Sequence, residues 1–147
     1  METTVERSLG PEDVPALLDL YGTYGWWADR EAPELRRALA ATDELVALRE
    51  ENGGALVASA RVLTDYTYYA MVFDVIVHED YRGAGLGEEL LAALVTHPPL
   101  SDVVLTLLSR EGLVPFYESC GFEEQGAIER PDGEPEELRF LAYRRGE

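Results

Sequence analysis

No lysine occurs anywhere in the 147 residues. All 12 basic side chains are arginine, set against 29 Asp and Glu, for a formal net charge of −17. This absence excludes whole reaction classes, because a P-loop needs its phosphate lysine and Schiff-base or pyridoxal chemistry needs an amine nucleophile. The negative charge argues against sequence-independent nucleic-acid binding, which needs a basic face, and against an anionic membrane surface. Cysteine is nearly missing too: Cys120 is alone, so no internal disulfide can form and nothing points to an oxidising compartment. No stretch approaches about 18 apolar residues. The polar, charged start Met1–Arg7 does not resemble a signal peptide, so a cytoplasmic setting is expected. Asn occurs once and Ile twice against 16 Ala, a bias that a GC-rich gene would also produce and that accounts for part of the missing lysine.

Two readings of the acidic charge stay open. In one, a high net charge keeps chains apart in an intracellular medium of very high salt, where its self-repulsion is screened, as expected of a halophilic, acidic protein. In the other, the acid collects a cationic partner.

What is present is enough apolar sequence, 46%, to fill the core of one domain spanning 1–147. Thr3 to Arg7 reads as a strand. Gly10-Pro11-Glu12-Asp13 opens a helix that carries Val14, Leu17, Leu18 and Tyr21 on one side. Gly22 and Gly25 break it, and a second helix runs from Pro33 to Ala41. Glu44–Glu50 and Ala55–Leu63 read as strands around the hairpin signal Asn52-Gly53-Gly54, and Tyr68–Val77 as a long apolar strand. A helix over Glu88–His97 follows, stopped by Pro98-Pro99. The apolar run Val103–Leu108 then predicts a strand buried on both faces. Leu113–Ser119 is a short helix, Gly121-Phe122 opens a strand, 129–137 is a polar loop and Leu138–Tyr143 is the last strand. The order predicts an α/β domain with a central mixed sheet of about six to seven strands and about four helices on its two sides.

The chemistry-bearing segment lies at the centre. Arg82-Gly83-Ala84-Gly85-Leu86-Gly87 joins a buried strand to a helix, leaving N–H groups unpaired at the helix start and letting backbone approach a ligand closely, which suits an anion such as phosphate. The dinucleotide fingerprint fails, since its third glycine would fall at Glu88 or Leu90. Val75 to Gly87 resembles the acetyl-CoA motif of the GNAT superfamily of N-acetyltransferases, R/Q-x-x-G-x-G/A. Phe116-Tyr117-Glu118-Ser119-Cys120-Gly121-Phe122 resembles that superfamily's second signature, F-Y-x-x-x-G-F.

The resemblance implies that backbone of Val75, Ile76 and Val77 pairs with the pantetheine arm of acetyl-CoA. Arg82, Gly83, Ala84, Gly85, Leu86 and Gly87 would wrap the pyrophosphate, and Tyr117 would protonate the departing thiolate. Arg110 stands where many members carry Asn, which puts a cofactor contact there in doubt. A tyrosine suits the acid's task on its own chemistry, since its reference pKa of about 10 keeps the proton at neutral pH. Asp74 interrupts the otherwise apolar run Ala70–Val77. A buried carboxylate must be protonated, hydrogen-bonded or face a polar ligand, so it either binds the substrate ammonium or relays its proton, or it pairs with backbone or with an arginine such as Arg61.

Tyr24, Trp26 and Trp27 precede the second helix, where the superfamily commonly forms one wall of the acceptor site. They line that pocket or close the core, and Tyr66 is the tyrosine of 66–69 expected to reach a substrate. His78 and His97 lack partners at metal spacing, so no metal is expected. The resulting expectation is direct acetyl transfer from acetyl-CoA to a small-molecule amine, in a fold where homodimers are common. A protein or peptide acetyltransferase and a non-catalytic acyl-CoA-binding module are the alternatives.

Overall fold

The computed structural model describes residues 2–51, 54–128 and 138–143; the side chain of Trp26, the tip of the Asn52-Gly53 hairpin and the polar loop 129–137 lie outside the described residues. Seven strands form one sheet in the order β1-β2-β3-β4-β5-β7-β6: β1 Thr3–Glu6, β2 Glu44–Glu50, β3 Leu56–Thr64, β4 Tyr69–Val77, β5 Val104–Arg110, β6 Phe122–Ile128 and β7 Leu138–Tyr143. Four α-helices flank it among the described residues: α1 Val14–Tyr21, α2 Ala32–Ala40, α3 Leu86–Val95 and α4 Val114–Ser119. Among the described residues only β4 and β5 pair in parallel, because the chain between them crosses over through α3. The mixed α/β architecture and the count of elements are as the residues predicted.

The helices divide the core in two. Leu90, Leu91 and Leu94 of α3 are at most 1% exposed and pack, with Tyr117 of α4, on the inner residues of β2–β5. Burying each such leucine contributes roughly 1.5–3 kcal/mol. On the opposite face Leu17, Leu20 and Tyr21 of α1 and Leu35 of α2 cover Leu45, Ala47, Leu56 and Ile76. α3 begins at Leu86, two residues before the expected Glu88, because Gly85 caps it in a left-handed conformation. His97, just past its end, spends its ring nitrogens on Glu44 (2.6 Å) and Arg7 (2.7 Å).

One expectation about burial holds on one face alone. Leu105 and Leu107 of β5 are sealed against the α3 side, yet Val104 and Leu108, which alternate with them, are 44% and 41% exposed. The α1–α2 pair lies over β2, β3 and the end of β4, which leaves Val104 and Leu108 on the other face of β5 uncovered, with Thr106 between them buried. Among the described residues no helix is long and apolar enough to cross a membrane.

Candidate active site

Strands β4 and β5 separate in mid-sheet. They pair from Tyr69–Val104 to Val72–Leu107; beyond that point β4 continues only against β3 and β5 only against β7. A bulge marks the parting. Arg61 faces Phe73 while Ser59 faces Ile76, so Asp74 and Val75 together oppose Ala60, and Asp74 takes φ 55°. A bulge leaves its extra residue out of the ladder and bends the strand. The wedge between the strands is a cavity of about 1050 Å³, walled by Met71–Val77, Leu107–Arg110, the glycine loop and α4. Val75, Ile76 and Val77 lie on its wall, as do Arg82, Gly83, Gly85, Leu86 and Gly87; Ala84 is exposed in the loop and is not on the wall.

The loop is built to present backbone. Gly85 at φ 79° turns the chain into α3, and the helix ladder starts with the Glu89 N–H donating to the Gly85 carbonyl at 3.1 Å. By helix geometry the N–H groups of the residues just before Glu89 have no intrahelical acceptor and face outward at the positive end of the dipole. Gly87 is needed for a close approach: a Cβ there would lie 2.9 Å from Phe116, so the two sequence signatures touch at this point. Arg82 is held rather than loose. Its Nε donates to the Tyr24 hydroxyl at 2.8 Å, its guanidinium lies 4.7 Å from the centre of that ring, and the hydroxyl donates onward to the Val77 carbonyl at 2.6 Å. Tyr24 therefore lines the cavity but spends its polar end bracing Arg82 and the end of β4.

Tyr117 reaches the cavity from α4 with its ring set edge-on to Phe116 (5.1 Å) and Phe122 (5.9 Å). It is 6% exposed, and burial pushes its pKa up to about 12. The phenol accordingly keeps its proton at any physiological pH. Cys120 is half-buried, with its thiol pKa raised first by burial, so it is no activated nucleophile.

Asp74 is gripped by two arginines. Arg30 binds it with both terminal nitrogens (2.8 and 3.0 Å) and Arg61 adds its Nε at 2.8 Å. Burial alone would raise the carboxyl pKa, but these hydrogen bonds outweigh it and hold the group below its ordinary 3.8. Arg30 lies over the rings of Tyr21 (4.7 Å) and Trp27 (5.4 Å), and Trp27 lines the cavity. Arg30 thus ties the loop after α1 to the bulge. No local signal in the sequence marks it, because 44 residues separate it from its partner.

Tyr66 is the site expectation that the geometry corrects. It sits in the turn before β4, at the far end of that strand from the glycine loop, and is not on the cavity wall. Its hydroxyl is engaged by the Glu44 carboxylate and the Asp43 carbonyl, and the Glu44 hydrogen bond pushes its pKa up to about 12. Trp26 belongs by backbone to the same 3-10 turn as Trp27, Gly25–Trp27. Phe73, Leu108 and Leu113, which no motif singled out, line the cavity, as does Arg110, which stands where many family members carry Asn.

Residues 42–124 match the acetyltransferase (GNAT) domain family. An uncharacterized N-acetyltransferase ycf52 of Porphyra purpurea is 28% identical over 110 residues, 73% of this chain and 60% of the relative, so the chain spans about three fifths of that protein's length. Serotonin N-acetyltransferase 2, chloroplastic, of Oryza sativa subsp. japonica is 31% identical over 145 residues, covering 96% of this chain and 67% of the relative. The solved ribosomal-protein-S18-alanine N-acetyltransferase from Escherichia coli superposes with a TM-score of 0.78 at 22% identity, over 97% of this chain and 93% of that one, a likeness of fold. A glycine loop at the start of α3, a parted β4–β5 pair and a tyrosine on α4 thus sit within the matched segment, and the chain belongs to the GNAT acetyltransferase family.

Proposed function

We propose that the protein transfers the acetyl group of acetyl-CoA directly to the primary amine of a small molecule. One observation carries this reading: the wedge between β4 and β5 opens onto the glycine loop, the Asp74 bulge and Tyr117 together. The fit to the cosubstrate is chemical. N–H groups at the start of α3 and the braced Arg82 suit a pyrophosphate, and the part of β4 past Val72, free of β5, suits an arm lying alongside as an added strand.

The amine lone pair attacks the thioester carbon, the C–S bond breaks, and Tyr117 gives its proton to the leaving sulfur and regains one from solvent. The amine's surplus proton leaves to water. Of the two roles open to Asp74, the geometry supports pairing: a carboxylate held below its ordinary pKa by two guanidiniums is a weak base and acts by positioning the bulge. Relatives are named both for a small amine, serotonin in rice, and for histone in Glycine max, so the choice of a small acceptor rests on the cavity itself. A cytoplasmic setting at high salt fits the acidic composition, and the site must then hold a polyanion against a field of −17 by short contacts that salt screens little.

Thiol release from acetyl-CoA, followed with a panel of amines while acetyl-CoA binding is titrated calorimetrically, tests both parts. Release should require an amine, and affinity should hold or improve from about 0.1 M to 1 M salt, where the Debye length shrinks from about 10 to about 3 Å. Tight binding without amine-dependent thiol would mean a sensor. A steep loss of affinity with salt would return the acidic surface to a cationic partner.

A further inference from the structure

The level of Asp74 divides the cavity. Arg82, Glu88 and Arg110 lie past it, in the glycine loop, at the start of α3 and at the end of β5; Met71, Phe73 and Leu108 lie before it. The two halves differ in chemistry. Phe73 and Leu108 stand on the face of the sheet that α1 and α2 leave bare, 37% and 41% exposed.

Apolar surface continues outward from them in register. Leu63 pairs with Met71, Met71 with Thr106 and Thr106 with Ala142, while Tyr69 pairs with Val104 and Leu108 with Phe140. A second cavity of about 710 Å³ lies along this strip and shares Met71 with the first. In a chain with 29 acidic residues, so much exposed apolar surface opening from the reaction centre calls for a ligand.

The charge next to the reaction centre is paired. The Asp74 carboxylate is taken by Arg30 and Arg61, whose guanidiniums lie over the rings of Trp27 (5.4 Å) and Phe73 (5.8 Å) and are not themselves on the cavity wall. Asp65, at the outer end of the strip, turns one carboxylate oxygen, Oδ1, to the backbone N–H groups of Thr67, Tyr68 and Tyr69. A second ammonium beside Asp74 would meet a triad of net charge +1. An acceptor carboxylate would find no guanidinium on that half of the wall.

We infer that the acceptor is a primary amine carried on an aromatic or extended apolar body without a second charge, lying on Phe73, Met71 and Leu108 and running toward Val104. The inference rests on the acetyl-transfer reading above. Its test compares 2-phenylethylamine, hexylamine, methylamine, spermidine and lysine at equal free-amine concentration. kcat/KM for the first two should exceed that for spermidine and lysine by at least about tenfold, the scale of discrimination by an apolar pocket. In Phe73→Ala the ratio of kcat/KM for 2-phenylethylamine to that for methylamine should fall by about tenfold or more, and Phe73→Leu should recover part of it, with acetyl-CoA affinity confirming that each variant is folded.

Spermidine or lysine turned over as well as the apolar amines would overturn the inference and leave acetyl transfer intact. Acetyl-CoA binding with no thiol release from any amine would overturn both. Sedimentation of the wild type and Val104→Glu covers the other occupant of the strip: a dimer lost in the variant, with amine preference unchanged, would assign the strip to a second copy of the chain and refute the inference.

Discussion

Tyr117→Phe will lower kcat by about 10²- to 10⁴-fold, the range for loss of a positioned general acid, and leave the dissociation constant of acetyl-CoA within about twofold of wild type. The ring is held by edge contacts with Phe116 and Phe122 that phenylalanine keeps, so the substitution removes the hydroxyl and little else. Burial raises the phenol's pKa to about 12, so wild-type activity should show no fall from its ionisation between pH 6 and 10. Stopped thiol-release traces and calorimetry on the same preparations separate the two quantities. A variant that turns over at more than about half the wild-type rate would remove Tyr117 from the chemistry.

The second large effect is on stability. Asp74→Ala leaves Arg30 and Arg61 facing each other without their counter-charge. Breaking a buried pair costs about 3–5 kcal/mol, and partial exposure of Arg30 reduces that to about 2–3 kcal/mol, read as a lower urea midpoint at pH 7. The sign with pH follows from the lowered carboxyl. The native state binds fewer protons than the unfolded chain, so the pair's contribution is fully present above the unfolded value of 3.8 and is lost as pH falls through the lower native value. The stability gap between wild type and variant should therefore be constant near neutrality and narrow below about pH 4. Asp74→Asn keeps the shape and part of the hydrogen bonding. Its turnover should fall by less than about tenfold, whereas a folded Asn variant slowed by 10² or more would restore the proton relay.

What could be read in advance was local. The glycine loop and the Phe116–Phe122 segment are contiguous, and their chemistry depends on backbone freedom and adjacent rings, so both were legible residue by residue. Asp74 was visible as an acid in an apolar run, but its partner Arg30 was not, since nothing in chain spacing brings residues 44 apart together. Tyr24 shows the limit of reading aromatic clusters. Its position stays open between pocket wall and core in the sequence and proves to be both, while its hydroxyl's task of holding Arg82 depends on where β4 ends. Tyr66 lies off the cavity wall because it belongs to the turn before β4, and chain order does not relate that end of the strand to the cleft. The exposure of Val104 and Leu108 on β5 was hidden because an apolar run reads the same whether a helix or a substrate covers it.

Direct transfer is tested most plainly in a single turnover. Enzyme in excess is mixed with acetyl-labelled acetyl-CoA, with and without 2-phenylethylamine or methylamine, and label is followed in protein, amine and thioester. The expected result is that label moves from thioester to amine in step with thiol appearance, never rests on the protein, and stays in the thioester when amine is left out. Label accumulating on the protein without amine, for instance on Cys120, would contradict direct transfer and replace it with a covalent relay.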